Sequence, residues 1–267
     1  MHRFFVPAEW LAGGNVTVSG PLVHQIRKVL RLRAGEHVMF LDNSGWEAEA
    51  ELTNLADESV HAVVRRKTLG MGEPRTKITL YQSLLKGDHV AQVFEQCTQI
   101  GVVEFVPIVT ERCIIGDVDQ SSERAKRWQR IITESAEQSH RSKLPVLRSA
   151  VLFSNGLEAV GNRGLSFIPW EEERTTTLHS VLASSVPAAP PPDPRRPKGR
   201  QDAAPAPRRP FSINVFVGPE GGFTAGEIAV ARHYGAIPVT LGARILRADT
   251  AGLVAASIIL HELGDMG

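Results

Sequence analysis

The sequence predicts an α/β protein in two parts: a small β-rich unit, then a mainly parallel sheet covered by helices on both faces. Three observations predict it. Up to about residue 73 the chain runs in short apolar–polar alternations broken by turn residues, the pattern of half-buried strands. Beyond that point apolar runs alternate with helix-length segments, as strand–helix units in a parallel sheet do. Near the end, two glycine-bearing turns each follow an apolar run, Val217-Gly218-Pro219-Glu220-Gly221-Gly222-Phe223 after Ile213–Val217 and Leu241-Gly242-Ala243-Arg244-Ile245-Leu246-Arg247 after Ile237–Leu241. Loops at the carboxyl ends of strands in an open sheet are where such folds hold ligands.

In chain order, the first strands are His37–Leu41, Trp46–Leu52 and Val60–Val64, separated by Asp42–Gly45 and Asn54–Glu58. Ahead of them, the spacing of Val23, Ile26, Val29 and Leu30 predicts a helix within 21–33 with those residues on one face. Arg27, Lys28 and Arg31 then form a compact basic patch without a carboxylate, either a solvated face or a phosphate-contacting surface. Gly70–Pro74 reads as a linker. A strand at Ile78–Leu84 leads into a helix from Lys86–Asp88, with Val90, Val93, Phe94, Cys97 and Ile100 inward and Gly101 ending it. Phe105–Val109 is the next strand. Ser121 or Ser122 caps a long helix to about His140, with Ala125, Trp128, Ile132 and Ala136 inward. Arg127, Arg130, Glu134, Gln138 and Arg141 lie on its other face. Leu165–Pro169 is a strand ending at Trp170. Nine of the 17 prolines lie between Pro187 and Pro210, so 183–210 reads as a disordered or extended insertion. Strand 213–217, helix 225–234, strand 237–241 and helix 250–263 complete the order.

Composition narrows the class. Across 267 residues, 42% are hydrophobic and 22% charged, as in a globular protein. No apolar run approaches the ~20 residues that span a bilayer, and the first residues lack a signal-peptide core. Two cysteines, Cys97 and Cys113, exclude a disulfide framework and suit a reducing cytoplasm. They do not make a zinc site by the usual spacings, and no metal is expected. With a net charge of +1, nucleic-acid binding must come from local patches.

The glycine turns constrain the ligand. A Walker loop ends in Gly-Lys-Ser/Thr, and Gly221-Gly222-Phe223-Thr224 has no lysine. A dinucleotide fingerprint needs Gly-x-Gly-x-x-Gly, whereas this turn has different spacing and puts Glu220 where a pyrophosphate would sit. A ligand read by backbone groups and free of phosphate fits, and S-adenosylmethionine is one, its sulfonium tolerating a nearby carboxylate. A structural strand–helix corner is the other reading.

The two turns, with Thr250-Ala251 after the second, resemble those of the RsmE family of ribosomal RNA methyltransferases in the SPOUT superfamily. The likeness extends upstream through Glu111-Arg112, Arg127-Trp128, Glu134–Arg141 and Pro145, and through His24, Val29-Leu30-Arg31 and Gly35. It covers nearly the whole chain outside the proline-rich insertion. The resemblance implies a PUA-like barrel over residues 1–73 that binds RNA, and a SPOUT α/β domain over 74–267 with a deep trefoil knot. It further implies a cytoplasmic homodimer using S-adenosylmethionine to methylate uridine N3 in small-subunit (16S) rRNA, as the free RNA or in the assembled subunit.

Carried onto this sequence, the cofactor-binding residues would be Val217, Gly218, Pro219, Gly221, Gly222, Leu241, Gly242, Ile245, Leu246 and Arg247, with Pro169 and Trp170 as a third wall. Arg247 would stabilise charge on the base, and Glu220 is a candidate base, cofactor-side organiser or cap for the helix near Thr224. Arg3, His24, Arg27, Arg31, Arg112 and Arg141 would contact RNA. The sequence departs from the family where Gln96 and Gln99 replace charged residues and where Ala248-Asp249-Thr250 shortens a glutamate to aspartate. Methylation of a ribose 2′-hydroxyl or of another RNA, and a non-catalytic RNA-binding dimer, are the alternatives.

Overall fold

The structure is a computed structural model that describes residues 1–113, 122–161, 164–185 and 211–267. It is a mixed α/β architecture whose contacts divide into two units. One takes Met1–Glu73 and adds Phe94–Val103 and the stretch ending at Val146; the other holds the remainder.

The first unit is built on β1 (His2–Phe5), β2 (Asn15–Ser19), β3 (His37–Leu41), β4 (Trp46–Leu55) and β5 (Ser59–Leu69), in the order β1-β3-β4-β5-β2. β4 shows why it forms. Ala48, Ala50 and Leu52 alternate inward, and Glu47, Glu49 and Glu51 alternate outward to Arg3, His37 and Arg65. The inner face closes on Phe4, Val18, Ile26, Phe40, Leu52 and Val60.

The expected helix within 21–33 is corrected. α1 (Pro21–His24) widens at once into a π-helical turn, Gln25–Val29, whose Leu30 N–H donates to the Gln25 carbonyl at 2.9 Å. A wider turn rotates each later residue less than an α-helix does, so Val29 swings off the apolar face and is 62% exposed. Arg31 ends the segment at φ 55°, a conformation that costs a non-glycine residue about 1–2 kcal/mol. The basic patch is not free of carboxylates either, because Asp57 pairs with Arg27 at 2.7 Å.

The second unit carries β6 (Lys77–Ser83), α2 (His89–Ile100), which runs on into the first unit's Phe94–Val103 segment, and β7 (Glu104–Val109). Gly101 ends α2 at φ 110°. α3 (Ser122–Gln138) belongs to the first unit and packs on β1, where Glu137 accepts the Phe5 N–H at 3.0 Å. Trp128, Ile132 and Ala136 face inward as expected, but Ala125 is exposed, and Ser121 lies outside the described residues.

β8 (Val146–Leu147), β9 (Val151–Leu152), α4 (Phe153–Val160), β10 (Leu165–Pro169), α5 (Leu178–Ser185), β11 (Ser212–Val217), α6 (Ala225–His233), β12 (Ile237–Val239) and α7 (Ala248–Glu262) follow. The proline-rich segment therefore begins later than expected, since 183–185 close α5; 186–210 lie outside the described residues.

The second sheet runs β12-β10-β11-β6-β7-β8, with β9 beside β7, and its β10–β12, β10–β11, β11–β6, β6–β7 and β7–β9 pairs are parallel. Neighbouring residues of β6 point to opposite faces. Tyr81 meets α4 at Gly156 and shares a core with Phe216 and α6's Ile228, whereas Leu80 meets α7 at Gly252. Helices thus cover both faces.

Asp265, just past α7, accepts from the backbone N–H groups of Arg75 and Thr76 at 3.1 and 2.9 Å and fastens the chain end to the start of β6. Burial alone would raise its pKa; hydrogen bonds from Thr76 and Arg75 outweigh that and hold it at about 2. Because the folded state releases this proton more readily than the unfolded chain, the carboxylate stabilises the fold above the unfolded aspartate range near ~4, and that contribution is lost as pH falls toward about 2. Asp265→Asn is expected to lower stability at neutral pH and flatten the acid limb between those values, followed by thermal melts from neutral to acid pH. A variant melting with the wild-type acid slope would refute it.

Candidate functional site

The carboxyl ends of the parallel strands open onto a cavity of about 450 Å³, within the ~300–1,000 Å³ range of small-molecule sites. Its walls are the loops after β10, β11 and β12, with Leu85, His89, Ala248, Asp249 and Ala251 completing it. The cavity brings together all eleven residues expected to hold a cofactor, Pro169 among them, along with Trp170 and Glu220. Sequence reasoning missed His89, Glu171, Arg174, Thr240 and Asp249. Only Asp249 left a signal, as a departure from the family pattern.

The β11 loop is shaped by its glycines and held from outside. Gly222 sits at φ 67° and donates to the Pro219 carbonyl at 2.9 Å, and a Cβ there would overlap the Glu171 carboxylate. Glu220 accepts the Lys86 N–H at 3.0 Å and Arg112 donates to the Gly221 carbonyl at 2.7 Å. Glu220 is therefore no helix cap. That task falls to Thr224 and Glu227, which form a reciprocal capping box on α6 and also bond Glu111.

The β12 loop is more open. Gly242 turns at φ 115°, its N–H donating to the Thr240 hydroxyl, and Ile245 is 77% exposed. At its end Arg247 donates to Asp249 at 2.8 Å, while His89 Nδ1 lies 3.0 Å from the same Asp249 oxygen.

The chemistry of the lining fits S-adenosylmethionine. Three carboxylates (Glu171, Glu220, Asp249) and three arginines (Arg174, Arg244, Arg247) suit a ligand bearing an ammonium, a sulfonium and a carboxylate. The buried Trp170 Nε1–H has no acceptor among the described residues. No group of His, Cys, Asp and Glu among the described residues could hold a metal ion.

The expected RNA contacts divide. His24 and Arg31 are exposed, and His24, Arg27 and Lys28 line a shallow cavity of the first unit with Asp57 and Glu58. Arg112 braces Gly221. Arg3 is committed to Glu47 with its side chain 8% exposed. Arg141 is a correction: at 2% exposure it donates to Glu73 at 2.8 Å and to the Thr98 and Val102 carbonyls. Glu73, read as linker, also accepts the N–H groups of Ser142 and Lys143. Burial would raise the Glu73 pKa, but the Arg141 hydrogen bonds and charge, with those two amides, hold it below the usual range.

The fold and cavity are those of an RNA methyltransferase. A family model described as an RNA methyltransferase domain matches residues 72–260, and one described as an RNA methyltransferase PUA domain matches 19–65. The ribosomal RNA small subunit methyltransferase E of Synechocystis sp. is 32% identical over 95% of this chain and 75% of its own length. The Bacillus subtilis protein of that name is 27% identical over 98% of this chain and 97% of its own. A crystal structure of the Neisseria gonorrhoeae protein bound to S-adenosyl methionine is similar at a TM-score of 0.80 and 28% identity, covering 98% of this chain and 97% of that one. The chain belongs to the ribosomal RNA small subunit methyltransferase E family.

Proposed function

We infer that this chain transfers a methyl group from S-adenosylmethionine to small-subunit ribosomal RNA, and that the acceptor is N3 of a specific uridine. The observation that carries the reading is the meeting of Val217–Gly222 and Leu241–Arg247 as two walls of one cavity at the sheet's carboxyl edge. S-adenosylmethionine supplies an electrophilic methyl on a sulfonium. The protein's part is positioning: its backbone loops fix the donor so that the acceptor attacks in line. A uridine N3 must lose its proton before it offers a lone pair, and we assign stabilisation of that anion to Arg247, a reading supported by its 73% exposed side chain at the cavity. Glu220 organises the loop through Lys86.

The functional division falls between 1–73, which grips RNA, and 74–267, which carries the chemistry. His24, Arg27 and Arg31 are the RNA contacts. A trefoil knot is supported by topology. The chain leaves β12 at the sheet's edge and returns as α7, which packs on β11 and β6, so it passes back over the position of β10. A homodimer is supported by Leu253, Val254 and Ile258 of α7, which are only half-buried. The unpaired buried cysteines support a cytoplasmic setting.

The test is methyl mapping of small-subunit rRNA from cells lacking this protein. N3 methylation blocks the Watson–Crick edge and stops reverse transcription, so one stop should vanish and return on complementation. If every stop persists, or purified protein marks a ribose instead, the assigned acceptor is wrong.

A further inference from the structure

The reading above leaves the uridine proton without a destination, and the cavity holds few groups able to take it. A guanidinium offers no lone pair to a proton, which sets Arg247 aside. Glu220 already serves the Lys86 N–H. Asp249 is saturated with donors, Arg247 and His89 on one oxygen and the Thr250 hydroxyl on the other. Glu171 lies against Gly222 on the β11 loop. His89 is different. It opens α2, lines the cavity and turns Nδ1 to the Asp249 carboxylate at 3.0 Å.

We propose that His89 is the general base of the methyl transfer, with Asp249 as the residue that positions it. A carboxylate facing Nδ1 favours the tautomer with the proton on that nitrogen, which leaves Nε2 as the acceptor. The same carboxylate then stabilises the imidazolium, the division of labour of a His–Asp pair in acyl transfer. In the step, the N3–H proton passes to Nε2. The pair left on N3 forms the bond to the methyl carbon, and the carbon–sulfur pair stays with sulfur. The imidazolium returns its proton to solvent. Arg247 donates to the same Asp249 oxygen, so one carboxylate positions both the base and the arginine assigned to charge stabilisation. The remaining charges in the cavity, Glu171, Arg174, Glu220 and Arg244, belong to the loops after β10, β11 and β12 and lie outside this pair.

This rests on the uridine N3 reading, and the experiment separates the two. His89→Asn keeps a donor at the Nδ1 position for Asp249 and removes the acceptor nitrogen. Its single-turnover rate at saturating RNA and donor should fall about a hundredfold or more at neutral pH, the usual contribution of a positioned base. S-adenosylmethionine affinity by calorimetry should be unchanged. The loss should shrink as pH rises, and an RNA carrying 5-fluorouridine at the target, whose N3–H is more acidic, should recover much of it. Independently of turnover, ¹⁵N spectra of the imidazole should show Nδ1 protonated in the wild type, with that preference lost in Asp249→Asn. A variant as fast as the wild type, or a rate loss matched by lost donor affinity and not rescued by 5-fluorouridine, overturns the proposal while the functional reading stands. A wild type that makes no N3-methyluridine overturns both.

Discussion

Replacing Gly222 by valine is expected to weaken S-adenosylmethionine binding by about ten- to a hundredfold, measured by calorimetry on the folded protein. Left-handed backbone at φ 67° costs a side-chain-bearing residue about 1–3 kcal/mol, and a β-branched one most. The new Cβ also falls on the Glu171 carboxylate. That carboxylate can swing aside, but the backbone cannot be relieved without unwinding the Gly222–Pro219 turn that shapes the wall. About 1.4 kcal/mol is tenfold in affinity, which sets the range. Gly221→Ala is the control. Gly221 has no positive φ, and its Cβ would meet the Arg112 side chain at 3.3 Å, so a small shift of Arg112 accommodates it. Equal affinity in Gly222→Val and wild type would mean that the turn does not set the site.

The second large effect lies in the first unit. Arg141→Ala is expected to cost about 3–5 kcal/mol, because it strands Glu73 as an uncompensated, largely buried carboxylate and leaves the Thr98 and Val102 carbonyls short of a donor. Denaturant titration would measure it. The pH dependence gives a second reading. The depressed Glu73 pKa stabilises the fold above the unfolded glutamate range and is lost on acidification below it. With Arg141 gone, this acid-sensitive share should largely disappear. A variant that unfolds at the wild-type denaturant concentration would return Arg141 to the list of RNA contacts.

Five strands of the second sheet, β6, β7, β10, β11 and β12, were plain as largely apolar runs between turn residues, as at Leu165–Pro169, whereas the two-residue β8 and β9 left no such run. β1 and β2 were not legible. Each is short, and each pairs only with residues far along the chain, β1 with β3 and β2 with β5. Arg141 misled through periodicity. It continues the stripe through Arg127, Arg130, Glu134 and Gln138, but α3 stops at Gln138 and His140 turns the chain at φ 61°, sending Arg141 inward. The glycine turns were legible as a site because backbone conformation is written in single residues. His89 and Asp249 were not, since their meeting depends on the fold bringing the start of α2 to the start of α7.

The β11 loop has a further consequence for how a ligand is kept. Lys86 holds it at Glu220, Arg112 holds it at Gly221, and the Glu111–Thr224–Glu227 bonds fix its far end. A guest arriving at this wall meets a loop already fixed by these bonds and incurs little ordering entropy there. The facing wall is otherwise, with Ile245 largely in water, and each side chain immobilised on that side costs about 0.5–1.5 kcal/mol. The entropic cost of closing the cavity around a ligand therefore falls on the Ile245 side, while the β11 side is preorganised.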